Sequence, residues 1–163
     1  MADTLIILCA KYLLYISILA LAVYWALSPR AVKIELALVA LVALPLAYGL
    51  ARLAGLFFSH PQPFSVYGYE PLIAHEVDNS FPSDHSAAAG ALAAAAGFYN
   101  RYLGILLWVL AVAVGAGRML AGLHYPVDVV AGLVFGGLSA AVAYSAVHPM
   151  RYKFFSSKEQ EGN

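Results

Sequence analysis

Read for polarity alone, the chain is a series of long apolar runs separated by polar joints. The first run covers about Thr4–Leu27 and is interrupted by Lys11, a charge that can snorkel toward the nearer interface. Tyr24 and Trp25 mark an interfacial belt, and Ser28-Pro29-Arg30 makes the turn. A second run covers about Val32–Phe58, with Pro45 predicted to kink it and Arg52 near its end. Polar residues then dominate from Ser59 to Phe81, a loop long enough to carry function or to cover the interface with short helices. Two shorter runs follow, about Asp84–Tyr99 and Tyr102–Gly117, joined by Asn100-Arg101. The last run, about Pro126–Val147, presents Gly132, Gly136, Gly137, Ala140 and Ala141 as a small-residue face for close packing.

Composition turns these runs into membrane spans. Of 163 residues, 63% are hydrophobic and 11% charged, whereas a soluble domain carries about 25% charged residues. The expected fold is all-α: a polytopic membrane bundle of five transmembrane helices, one domain over residues 1–150, with a polar tail over 151–163. A net charge of zero points away from nucleic acid and leaves the lipid bilayer as the partner. The lone Cys9 permits no intrachain disulfide. Met1-Ala2-Asp3 lacks a basic leader, and the run behind it is too long for a signal peptide, so the first helix is expected to be retained.

Five spans place the 59–82 loop and the 118–125 connection on one side. The other side receives Arg30, Lys33, Arg101, Arg151, Lys153 and Lys158. By the positive-inside rule that second side is cytoplasmic. The polar loop and connection are therefore expected to face outward, in a cell membrane, with the tail inside.

Candidate chemistry gathers in those two segments. Ser80-Phe81-Pro82-Ser83-Asp84-His85-Ser86 reads as a helix start with Ser83 or Asp84 as N-cap. Unpartnered N–H groups there attract anions, and a hydroxyl with a histidine suits a phosphate oxygen and a proton donor. An ordinary cap that happens to carry a histidine reads the same way. The helix behind it cannot extend past Pro82, so the site is expected to lie below the headgroups. In the second segment, His124 and Asp128 share a face if the last helix begins near His124. The carboxylate could then accept from one ring nitrogen and leave the other as an electron-pair donor. Arg118 offers a planar fork for phosphoryl oxygens. Interfacial capping and snorkelling are the alternative for all three.

Together, Ser80-Phe81-Pro82-Ser83-Asp84-His85-Ser86 and Arg118-x5-His124-x3-Asp128 resemble the second and third signature motifs of the type-2 phosphatidic acid phosphatase superfamily, which shares its core with haloperoxidases. Leu72-Ile73-Ala74-His75 and Gly122-Leu123-His124-Tyr125-Pro126-Val127-Asp128 are similar to its bacterial undecaprenyl-diphosphate phosphatase branch. The resemblance spans roughly residues 50–137 and implies a phosphatase that needs no metal or other cofactor. It implies His124 as the nucleophile that forms a phosphohistidine, Asp128 as its orienting carboxylate and His85 as the proton donor. It implies Arg118, Ser83 and the backbone N–H groups near Asp84 as holders of the phosphoryl oxygens. The first family motif departs from pattern: Gln62 stands where an arginine precedes the proline, and Gly55 occupies the upstream basic position. Arg52, about one turn earlier on nearly the same face, could supply that charge, with Gln62 donating a neutral hydrogen bond.

The leading expectation is hydrolysis of undecaprenyl (polyprenyl) diphosphate, a role in cell-wall synthesis. Phosphatidate or phosphatidylglycerol phosphate is the alternative substrate. A non-catalytic lipid-phosphate binder remains open because the first motif is incomplete.

Overall fold

A computed structural model describes the backbone over residues 1–160 and side chains over 1–150. Its elements are α1 (Ala2–Leu27), α2 (Arg30–Phe57), α3 (Pro63–Tyr67), α4 (Asp84–Gly97), α5 (Arg101–Leu120) and α6 (Pro126–Gln160). The five expected helices are present, and a sixth, the short α3, lies in the polar loop. Four helices are long and apolar enough to cross a membrane: α1, α2, α5 and the Pro126–Met150 part of α6. The fifth, α4, has 14 residues and spans about 21 Å at ~1.5 Å per residue, shorter than the hydrocarbon core. It ends at Gly97, two residues before the expected Tyr99, while α6 continues well past Val147.

That short helix is the centre of the bundle. It packs against α1, α2, α5 and α6. Of its residues, Ser86, Ala87, Ala89, Gly90, Ala91, Leu92, Ala93, Ala95 and Ala96 are buried. A helix enclosed on all sides is served by small side chains, which let four neighbours approach its backbone. The closest approach is to α6: a Cβ built on Gly136 would stand 2.1 Å from the Ala87 carbonyl oxygen, and one on Gly132 would stand 2.5 Å from that of Ser83. The glycine face on α6 is therefore the surface that receives α4. The surrounding core is alanine, leucine and valine, including Leu36, Val39, Leu92, Leu107 and Ala140.

At the end carrying the α1–α2 and α4–α5 turns, Trp25 Nε1 donates to the Lys33 carbonyl (2.9 Å) and Asn100 caps α5 through the N–H groups of Tyr102 and Leu103. A half-buried polar contact also lies in this half: His148 Nδ1 is 2.6 Å from Oε1 of the buried Glu35. At the opposite end, the α2–α4 loop folds over the α5–α6 joint. Leu72 N–H donates to the Ala121 carbonyl (3.1 Å), and Phe64 packs with Ala10, Ala121 and Leu123.

Candidate active site

The α5–α6 joint sets the first half of the site. Gly122 adopts φ +83°, a left-handed conformation that suits glycine, and Leu123 N–H closes back on the Arg118 carbonyl (3.1 Å). Leu123 is fully buried, which fixes the backbone that presents His124 beside Ser80. The α6 helix begins at Pro126, so His124 lies outside it. Asp128, in the first turn, reaches back to accept the Tyr125 N–H (2.8 Å), as the acid of a capping box does.

This corrects the expected pairing. His124 and Asp128 do not share a helical face, and His124 Nδ1 stands 3.8 Å from Asp128 Oδ2, too far for a hydrogen bond. The fully buried carboxylate takes three other donors. Ser80 Oγ–H donates to Oδ2 at 2.5 Å, Tyr125 N–H donates to the same oxygen, and His60 Nδ1–H donates to Oδ1 at 2.9 Å. His124 Nδ1 lies 3.0 Å from the Ser80 carbonyl oxygen and 3.2 Å from Ser80 Oγ.

The second half is the start of α4. Ser83 is its N-cap, with Oγ accepting from Ser86 N–H (3.4 Å) and Ser86 Oγ–H (3.2 Å). Those bonds use lone pairs and leave the Ser83 hydroxyl proton available to another acceptor. Ser83 N–H donates to the Asp128 carbonyl (3.0 Å), which ties this cap directly to the first turn of α6. His85 makes no side-chain hydrogen bond among the described residues, and Arg118, His124 and His75 all lie within electrostatic reach of its ring. Arg118 is 4% exposed, its Nε has no hydrogen-bond partner, and no carboxylate lies within ion-pair distance of it among the described residues. Thus His85, His124 and Arg118, distant in the chain, share one end of the bundle with Ser83 and Asp128.

The first-motif residues are placed differently. Gln62 is fully buried and works as a clip for the loop. Its Nε2 donates to Asp78 Oδ1 (3.0 Å) and lies 3.2 Å from His75 Nδ1, while its Oε1 accepts the Asp78 N–H (3.1 Å). Arg52 is exposed and pairs with Asp84 at 2.6 Å, so its charge sits at the α4 start but is already matched.

Neither Ser80, inside the second-motif stretch, nor His60, two residues before Gln62 in the polar loop, is among the expected catalytic or phosphate-binding residues. What brings them together is an isolated antiparallel bridge between two loop segments, Pro61 opposite Asn79. Ser80 N–H donates to the His60 carbonyl (2.7 Å), and Asn79 Oδ1 accepts from both His60 N–H and Phe81 N–H. His60 also stacks on Tyr125 with ring centroids 4.4 Å apart.

The profile of the PAP2 superfamily matches residues 35–152, which include every site residue named above. The chain is 37% identical over 146 residues to the bacitracin transport permease protein BcrC of Bacillus licheniformis, covering 88% of this chain and 71% of that protein. It is 38% identical over 94 residues to the undecaprenyl-diphosphatase BcrC of Bacillus subtilis (strain 168), covering 53% of this chain and 49% of that protein. In three dimensions it resembles the crystal structure of Aquifex aeolicus LpxE, with a TM-score of 0.67, 22% sequence identity, and coverage of 87% of this chain and 82% of that one. The chain therefore belongs to the PAP2 superfamily and is a multi-pass membrane lipid phosphatase.

Proposed function

We propose that the protein hydrolyses undecaprenyl (polyprenyl) diphosphate to the monophosphate and inorganic phosphate through a phosphohistidine. The observation that carries this reading is Arg118, a buried guanidinium with an unpartnered Nε and no carboxylate beside it among the described residues. A buried cation whose carboxylates, Asp84 and Asp78, act on it only from beyond ion-pair distance is costly, and a phosphate group would supply the close negative charge. The name of the Bacillus subtilis relative supports a diphosphate lipid as the source of that phosphate.

The steps follow from the groups present. His124 Nε2 attacks the terminal phosphorus as the bridging P–O bond breaks. His85, near Arg118 and His124, donates a proton to the leaving oxygen. Arg118, the Ser83 hydroxyl and the first-turn N–H groups of α4 hold the equatorial oxygens, on which charge spreads. Water then attacks the phosphohistidine, with His85 accepting its proton. The distribution of lysine and arginine supports an outward-facing site with the residue 151–163 segment on the cytoplasmic side. Among the described residues the bundle centre is filled by alanine, leucine and valine, which supports hydrolysis at one face over passage through the bundle.

The test is phosphate release from polyprenyl diphosphate by the purified full chain in chelator, beside His124→Ala. Release by the parent and loss of at least three orders of magnitude in the variant are expected, given the cost of removing a nucleophile. Undiminished release by His124→Ala, or none by the parent, would overturn the reading. Parallel assays with phosphatidate and phosphatidylglycerol phosphate separate the substrate classes.

A further inference from the structure

The steps above leave Ser80 without a task, yet it occupies the space between the carboxylate and the nucleophile. Ser80 is fully buried, and its one hydroxyl proton has three possible acceptors: Asp128 Oδ2 at 2.5 Å, His124 Nδ1 at 3.2 Å if that nitrogen is unprotonated, and the Leu123 carbonyl at 3.3 Å. The shorter, charge-assisted bond to Asp128 wins. With that proton engaged, the Oγ lone pairs face His124 Nδ1 at 3.2 Å, and the Ser80 carbonyl faces the same nitrogen at 3.0 Å. Both groups can only accept there, so Nδ1 must carry the ring proton and Nε2 the lone pair.

We propose that Ser80 is a positioning residue: it holds His124 in the Nδ1–H tautomer and couples it to Asp128 through its hydroxyl. The role rests on the phosphohistidine reading above. When Nε2 bonds to phosphorus, the bridging P–O bond breaks, the leaving oxygen takes the His85 proton, and positive charge spreads over the imidazole of His124. The Nδ1–H bond to Ser80 then strengthens, because the hydroxyl is polarised by a carboxylate that itself stays ionised. No proton leaves Nδ1. His60 braces the far carboxylate oxygen at 2.9 Å, and its main chain holds the Ser80 N–H at 2.7 Å, so both ends of the coupling are fixed by one loop.

The experiment uses the full chain in detergent micelles, as parent, Ser80→Ala and Ser80→Thr. Ser80→Ala is expected to lower kcat about 30-fold with KM within about threefold, the range seen when a group orienting a reactive side chain is removed. Ser80→Thr, which keeps the hydroxyl, is expected to recover most of that loss. Nitrogen-15 NMR of His124 in the parent is expected to show the neutral ring protonated at Nδ1, a readout that does not depend on turnover. Ser80→Ala with kcat within threefold of a working parent, or a parent ring protonated at Nε2, would overturn the proposal. A parent that releases no phosphate defeats the catalytic reading instead, and the tautomer then still decides whether Ser80 positions the ring.

Discussion

His124 and Asp128, four residues apart in the chain, face each other across 3.8 Å without a hydrogen bond. The reason is local. Asp128 belongs to the first turn of α6 and is drawn back to the Tyr125 N–H, while His124 sits in the joint before that helix and turns toward Ser80.

Asp128 accepts from Ser80, His60 and Tyr125, so its role depends on being an acceptor at both oxygens. Asp128→Asn keeps the shape but places an NH₂ donor against at least one of these donors. Turnover is expected to fall by about 10³-fold or more, by analogy with loss of a triad carboxylate. Phosphate release by the folded variant checks this, and a loss under tenfold would show that the charge is dispensable.

Arg118 predicts opposite signs for stability and activity. Arg118→Met removes a buried cation that has no directly paired carboxylate among the described residues, while filling similar volume. The substrate-free protein is expected to melt at a higher temperature, because replacing buried charge by apolar volume is neutral or stabilising. Phosphate release is expected to vanish. A lower melting temperature would mean that the longer-range attraction of Asp84 and Asp78 already offsets the burial of Arg118 in the empty protein.

Restoring the family arginine at Gln62 is expected to damage the protein. The Gln62 amide is fully buried, and its oxygen satisfies the Asp78 N–H. Gln62→Arg removes that acceptor, at a cost of about 1–3 kcal/mol for the orphaned donor. A melting curve should show the loss, with no gain in turnover. A rise in turnover would show that the loop can reorganise around the new cation.

The α4–α6 contact gives a packing test with an internal control. Gly136→Ala would bring a methyl to 2.1 Å from the Ala87 carbonyl and must push the helices apart. About 1–3 kcal/mol of stability is expected to be lost, the usual range for overpacking. Activity should fall with it, since Ser83 and Asp128 ride on those two helices. Gly137→Ala meets Trp108 at 3.5 Å, an ordinary contact, and should change little. Equal effects of the two substitutions in thermal melts would refute the close-approach account.

Much of this was readable before any coordinates. Long apolar runs locate helices whatever their partners, so α1 and α2 lie within two residues of where hydropathy puts them. Alternation of spans then forces the 59–82 and 118–125 segments to one side, and with them His85, Arg118 and His124. The short run after Pro82 was also visible. Its place at the centre was not, because an alanine-rich helix reads the same wherever it packs.

Hydropathy, helix length and the order of charged joints acted along the chain, and they determined the number of bundle helices, the shared end of the polar groups and the histidines and arginine found there. Tertiary structure decided who touches whom. Ser80 meets His124 and Asp128 across 44 and 48 residues, and His60 meets Asp128 across 68. No local period encodes such distances. They follow from α4 settling against the glycine face of α6 and from the Asn79-centred pairing that lays His60 beside Ser80. Those contacts make Gln62 a loop clip, and they put a serine hydroxyl where the sequence alone had suggested a direct bond between carboxylate and imidazole.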